Sequence, residues 1–180
     1  MTNAAVRAFF PPVVALPVPL DRDIFLSSLI GELAGTLQDD VGREEAARLI
    51  TAAGQRVGKQ INREYRCALA VPEIPCARLS EVLMDVSRRI HGDFYIVEED
   101  EEKIVLGNPV CPFGAELAGR SAMCMMSCNV LGAIAAENLG YGRVVVEKAI
   151  AEGAPACRVV VRLRPHPEGE NRAGPEYATG

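Results

Sequence analysis

Apolar and polar positions along the chain change period near residue 92, dividing the sequence into a helical half and a sheet-forming half. Between Asp21 and Leu37 the apolar residues Phe25, Leu26, Leu29, Ile30, Leu33 and Leu37 recur at helical spacing, with Asp21 or Asp23 placed to cap the start. A break at Asp39-Asp40-Val41-Gly42 leads to a second helix, Arg43 to Arg63. Its apolar face is predicted to run through Ala46, Leu49, Ile50, Ala53, Val57 and Ile61. Pro72 and Pro75 make Cys67 to Cys76 a loop or short extended piece. Leu79, Val82, Leu83, Val86 and Ile90 define a third helix, with Ser80 close to its start.

After that the period falls to two. Asp93 to Glu98 and Lys103 to Leu106 alternate around the acidic turn Glu99-Asp100-Glu101-Glu102, the pattern of a β-hairpin. A fourth helix runs from Ala122 to Asn138, capped by Ser121 and stopped by Gly140. Arg143 to Ala149 and Arg158 to Leu163 read as two more strands. Residues 1–20 form an extended arm punctuated by prolines, and from Arg164 onward Pro, Gly and Glu predict a disordered tail. The expected fold class is α+β. A single domain over residues 21–163 carries N-terminal helices, then an antiparallel sheet of two hairpins with a buried small-residue helix between them.

Composition narrows the function classes. A net charge of −5 and a pI near 5.2 argue against a nucleic-acid partner. Trp is absent and aromatics make up only 5% of residues, so base stacking is not a theme either. No run of 18 apolar residues exists, so no membrane span is expected. The apolar start, with Arg7, invites a signal-peptide reading, but Pro11, Pro12, Pro17 and Pro19 interrupt it and no small-x-small cleavage site ends it. The expected location is cytoplasmic, where clustered thiols point to metal or redox chemistry more than to disulfides. The 49% hydrophobic content and two apolar helical faces fit a homodimer.

Four of the six cysteines change the picture further. Cys111 opens the turn Cys111-Pro112-Phe113-Gly114, Cys124 and Cys128 stand four apart in the fourth helix, and Cys157 sits at the start of the last strand. Spacing of four puts Cys124 and Cys128 on one ridge with Gly132 and Ala136, so both thiols can face one point. That helix is small or apolar nearly all round, which predicts burial. Thiolates are soft ligands that suit zinc, at about 2.3 Å in a tetrahedron, and suit iron–sulfur clusters as well. The set Cys111, Cys124, Cys128 and Cys157 is therefore a candidate metal site. The same residues also read as small core hydrophobes, because the spacings match no zinc-ribbon pair and no ferredoxin motif.

The remaining chemistry is sparse. Cys67 and Cys76 stand apart and read as structural or incidental; His91 ends a helix and His166 lies in the tail. Met123, Met125 and Met126 flank the helical cysteines and read as core packing, beside which an adaptable apolar pocket is expected between this helix and the sheet. Glu137 and Glu147 lie in elements near the cysteines, as a hard fourth ligand, as partners of a ligand, or as ion-paired surface groups. Gly140-Tyr-Gly142 leads into a strand and is a turn rather than a dinucleotide loop. Walker, nucleophile-elbow and HExxH motifs are missing from the sequence.

The stretch from about Gly107 to Leu163 resembles the family of methanogen output domains and, more distantly, the 4-vinyl reductase-like ligand-binding domains. The residues that carry the likeness are Cys124-Met-Met-Ser-Cys-Asn-Val-Leu-Gly132, Asn138-Leu-Gly-Tyr-Gly-Arg-Val-Val-Val-Glu147 and Gly153-Ala-Pro-Ala-Cys157-Arg-Val. The Cys111-Pro-Phe-Gly114 element points to the methanogen output type. The resemblance implies a sensory or small-ligand-binding module, related in fold to small trafficking-complex subunits and acting in signalling or transcription regulation. In aromatic-sensing relatives zinc is held by three cysteines and a glutamate. Cys124 and Cys157 match two of those ligands, the third cysteine falls at about Ala149, and Cys111 and Cys128 would have to substitute.

Three readings follow. The first is a non-enzymatic sensor in which a cysteine-bound metal, zinc by preference, pins the fourth helix to the last hairpin beside a pocket for a small apolar ligand. Its output would pass through a protein signalling partner or its own dimer. The second is an iron–sulfur or thiol redox sensor on the same residues. The third is a reductase or hydrolase acting at the pocket, ranked last because no acid–base or nucleophile–base pair and no cofactor loop is visible in the sequence.

Overall fold

The computed structural model describes residues 21–111, 121–165 and 176–178. The arm at residues 1–20, the turn after Cys111 and most of the tail lie outside the described residues. Helix α1 spans Arg22–Val41, capped by Asp21, whose carboxylate accepts from the N–H groups of Asp23 and Ile24 at 2.8 Å. It runs straight through the acidic segment expected to be a break, and Gly42 alone separates it from α2 (Arg43–Leu69). Helix α2 is longer than its apolar pattern indicated and takes Cys67 into its last turn. Helix α3 spans Cys76–Arg89. Strand β1 (Tyr95–Glu99) and strand β2 (Lys103–Asn108) form the expected hairpin, whose turn is tied by Asp100 accepting from the N–H groups of Glu102 and Lys103 at 2.8 Å. Helix α4 (Ser121–Leu139) leads to β3 (Tyr141–Lys148), a short 3-10 turn at Ile150–Glu152, and β4 (Cys157–Arg162).

The expected α+β architecture, helices first and then an antiparallel sheet, is what the chain adopts. The strand order is β1-β2-β4-β3-β5, where β5 (Glu176–Ala178) is a three-residue piece of the expected disordered tail that pairs with β3. β2 and β3 run in the same direction, joined by the α4 crossover, and β4 fills the gap between them. Strand period two sorts the side chains cleanly. Ile104, Leu106 and Asn108 of β2 share a face with Cys157, Val159 and Val161 of β4 and with Val144 and Val146 of β3. Apart from Asn108 and Cys157, these residues join the main core under α3 and α4. The opposite face carries the smaller valine cluster Val105, Val145 and Val160.

Helix α4 lies between α2 and the sheet, which explains its composition. The buried residues of α2 are Ala46, Ile50, Gly54, Gly58 and Asn62, a strict i+4 ridge. That is a correction to the expected face. Leu49 and Val57 are exposed and the glycines take their place, because the small residues let α4 come close. A Cβ on Gly58 would stand 2.7 Å from Ala133 Cβ and 2.8 Å from the Val130 carbonyl oxygen. On the other side of α4, a Cβ on Gly142 of β3 would stand 2.5 Å from the Gly132 carbonyl oxygen. Polar bridges fix the register of this contact. Asn138 donates to Asn62 Oδ1 at 2.7 Å and accepts from the Ile74 N–H at 2.8 Å, Asn129 donates to Thr51 at 3.1 Å, and Lys59 pairs with Glu137 at 3.0 Å.

On the outer side, α1 leaves Phe25, Leu26, Leu29 and Leu33 exposed. No helix among the described residues is long and apolar enough to cross a membrane. The glycine contact yields a paired prediction. Gly58→Ala forces α2 off α4 and lowers unfolding free energy by about 1–3 kcal/mol. Gly35→Ala in α1, where nothing lies within 4 Å, raises it by up to about 1 kcal/mol through helix propensity. Urea unfolding of the two variants beside the parent protein measures both, and equal effects would contradict the packing account.

Candidate functional site

Three separate segments bring four cysteines to one small cavity under α4. Its walls are Phe94, Asn108, Cys111, Cys124, Ser127, Cys128, Val146, Ala149, Cys157 and Val159. The placement follows from periodicities already described. Cys124 and Cys128, one turn apart, lie on the sheet-facing side of α4, while Ala133 and Val130 face α2. Cys157 starts β4 directly opposite Asn108, which ends β2, and both point to the core face. Cys111 follows three residues after Asn108, on a segment turned by the Asn108 side chain, whose Oδ1 accepts from the Val110 N–H at 3.1 Å. The Cys157 sulfur accepts from the Ile150 N–H at 3.3 Å, tying the 3-10 turn to the start of β4.

All six cysteines carry free thiols. Cys67 and Cys76 are exposed, away from the cavity, whereas Cys128 is buried and Cys111, Cys124 and Cys157 are half-buried. Burial, and then the neighbouring thiols of Cys111 and Cys157 and the Glu152 carboxylate, push Cys124 up to about 11. Burial, with Cys124 and Cys157 behind it, pushes Cys128 up to about 12. Both are neutral thiols at physiological pH in the metal-free protein. Among the described residues, no three His, Cys, Asp or Glu side chains stand close enough to hold a metal ion in this conformation.

The cavity holds about 20 Å³, room for a single water-sized or ion-sized guest. Its four sulfurs are soft donors of the type that divalent metals such as zinc prefer. Glu137 and Glu147 are not among its walls; they pair with Lys59 at 3.0 Å and with Arg158 at 2.9 Å. Ala149, where the resemblance leads one to expect a ligand cysteine, does line it. The side chains of Met123, Met125 and Met126 lie outside the described residues, as does His166.

Two features escaped the reading of the sequence. Asn108 is fully buried, and its Nδ2 has no hydrogen-bond partner among the described residues. An unmet donor of this kind costs about 1–3 kcal/mol. The signal for it was present, since a polar residue follows Ile104 and Leu106 on the inward face of β2. The second feature is an apolar cavity of about 180 Å³ between α2, α3 and α4, lined chiefly by Val57, Ile61, Val86, Ile90 and Leu131. It shares Phe94, Ser127 and Cys128 with the thiol cavity. The hydroxyls of Ser87 and Ser127 that reach it already donate to the carbonyls of Leu83 and Cys124. A guest there meets an apolar wall with no spare hydroxyl donor.

A family model described as methanogen output domain 1 matches residues 29–162, which takes in every cavity wall. No curated protein matches the chain.

The thiol ionisation gives a pH prediction. Unfolded thiols ionise near 9, whereas Cys124 and Cys128 in the fold resist ionisation to about 11 and 12. Above pH 9 the unfolded chain releases protons that the fold retains, so stability present below 9 is lost as pH rises. Thermal melts with chelator and reductant should show a midpoint falling from pH 9 upward. The fall should be shallower in Cys128→Ala; identical slopes in the two proteins would contradict the burial account.

Proposed function

The chain belongs to the methanogen output domain 1 family, and from that premise we propose that it is a non-enzymatic sensory output module built around a cysteine-held metal. The observation that carries the reading is the convergence of Cys111, Cys124, Cys128 and Cys157, from three segments of chain, on one cavity. These residues would hold the ion, and the ion would supply a crosslink joining the start of α4 to the ends of β2 and β4. Because Cys124 and Cys128 are neutral in the metal-free fold, loading the site displaces thiol protons, and affinity rises with pH. Zinc is the preferred occupant. The cavity of about 20 Å³ suits one ion better than the several atoms of an iron–sulfur cluster.

The neighbouring apolar cavity supports a second element of the reading, a small neutral apolar ligand. Such a ligand would touch Phe94 and Cys128, which also wall the thiol cavity. Occupancy of one cavity would then bias the packing of α4 over the other. The described walls of the thiol cavity bear four thiols, an amide and a hydroxyl, and no acid–base pair, which favours binding over catalysis.

The test is metal and acid-labile sulfide content of protein purified without oxygen, beside a Cys124→Ser, Cys157→Ser double variant. About one zinc per chain, lost in the variant, is the expected outcome. Iron with sulfide would replace this reading by the cluster sensor, and absence of metal from both proteins would overturn it.

A further inference from the structure

The unmatched amide in the cavity wall has a use if the thiols become thiolates. Asn108 is fully buried at the inward end of β2. The hydrogen bond from the Val110 N–H to its Oδ1 fixes which end of the amide is which. That leaves Nδ2, two N–H donors, with no partner among the described residues and Cys157 directly across the strand pair. Residues opposite in an antiparallel pair have Cβ atoms about 4.5–5.5 Å apart, within reach of an amide and a sulfur. A neutral thiol is a weak acceptor, whereas a thiolate is a charged one that binds N–H groups strongly. The Cys157 sulfur already accepts one N–H, from Ile150.

We infer that Asn108 is a positioning residue that donates its Nδ2–H to the Cys157 sulfur when the cavity holds thiolates. This rests on the metal reading and deepens it. Asn108 and Ile150 then form a two-donor cradle that spreads the charge of Cys157 and orients its lone pairs toward the ion. Partners of this kind around metal ligands change metal affinity by about 10–100-fold when lost. The amide is therefore unmatched only while the cavity is neutral, and its cost in the empty fold is recovered on loading.

Cobalt(II) in place of zinc reports on this directly, because bound thiolates give a sulfur-to-metal charge-transfer band. Asn108→Leu keeps the volume and removes the donor. Asn108→Asp keeps the acceptor for the Val110 N–H and guards against a folding failure in the leucine variant. In both variants cobalt affinity should fall about 10–100-fold and the band should move to lower energy. Unchanged affinity and an unmoved band in folded variants would overturn the role of Asn108 and leave the metal reading standing. No charge-transfer band in the parent protein would overturn both.

Discussion

Everything in this fold depends on a helix that has to be thin. Helix α4 has α2 on one side and β3 on the other, and both approaches are close enough that a single Cβ at Gly58 or Gly142 would collide with it. Small residues along α4 and the glycines facing it are the condition for that approach. Fixing α4 between two layers also fixes the direction of its sheet-facing ridge, on which Cys124 and Cys128 lie. The cavity is thus a by-product of helix packing: where α4 passes the ends of β2 and β4, side chains of modest size leave a gap that sulfur atoms line.

The same constraint accounts for what could and could not be read from the residues alone. Alternation along Lys103–Leu106 located β2 well; both its faces are buried, Ile104 and Leu106 in the main core and Val105 in the valine cluster opposite. The convergence of the four thiols was also legible, since a ridge spaced by four and two strand ends leave few ways to arrange them. The face of α2 was misjudged because burial there follows closeness and not hydrophobicity. Gly54 and Gly58 are buried while the larger Val57 is exposed, so an apolar-period argument points to the wrong side. The continuation of α1 through Asp39 and Asp40 had no local signal, as an acidic run breaks no helix by itself. Pairing of Glu176–Ala178 with β3 is a long-range contact that a short polar segment does not announce.

Chemically, the cavity holds four soft sulfur donors, of which Cys124 and Cys128 rest as desolvated neutral thiols. Burial holds Cys124 and Cys128 protonated, which keeps these thiols quiet toward oxidants; under the proposed metal reading, loading would displace their hydrogens. Belonging to an output-domain family gives such a site a natural place in signalling. The shared wall of Phe94, Ser127 and Cys128 gives it a route to the apolar cavity.

The central claim is that four sulfurs surround one ion. X-ray absorption at the metal edge of the purified protein measures this most directly. The account predicts a first shell of four sulfur scatterers at about 2.3 Å. A first shell dominated by nitrogen or oxygen, or protein with no metal to measure, would contradict it.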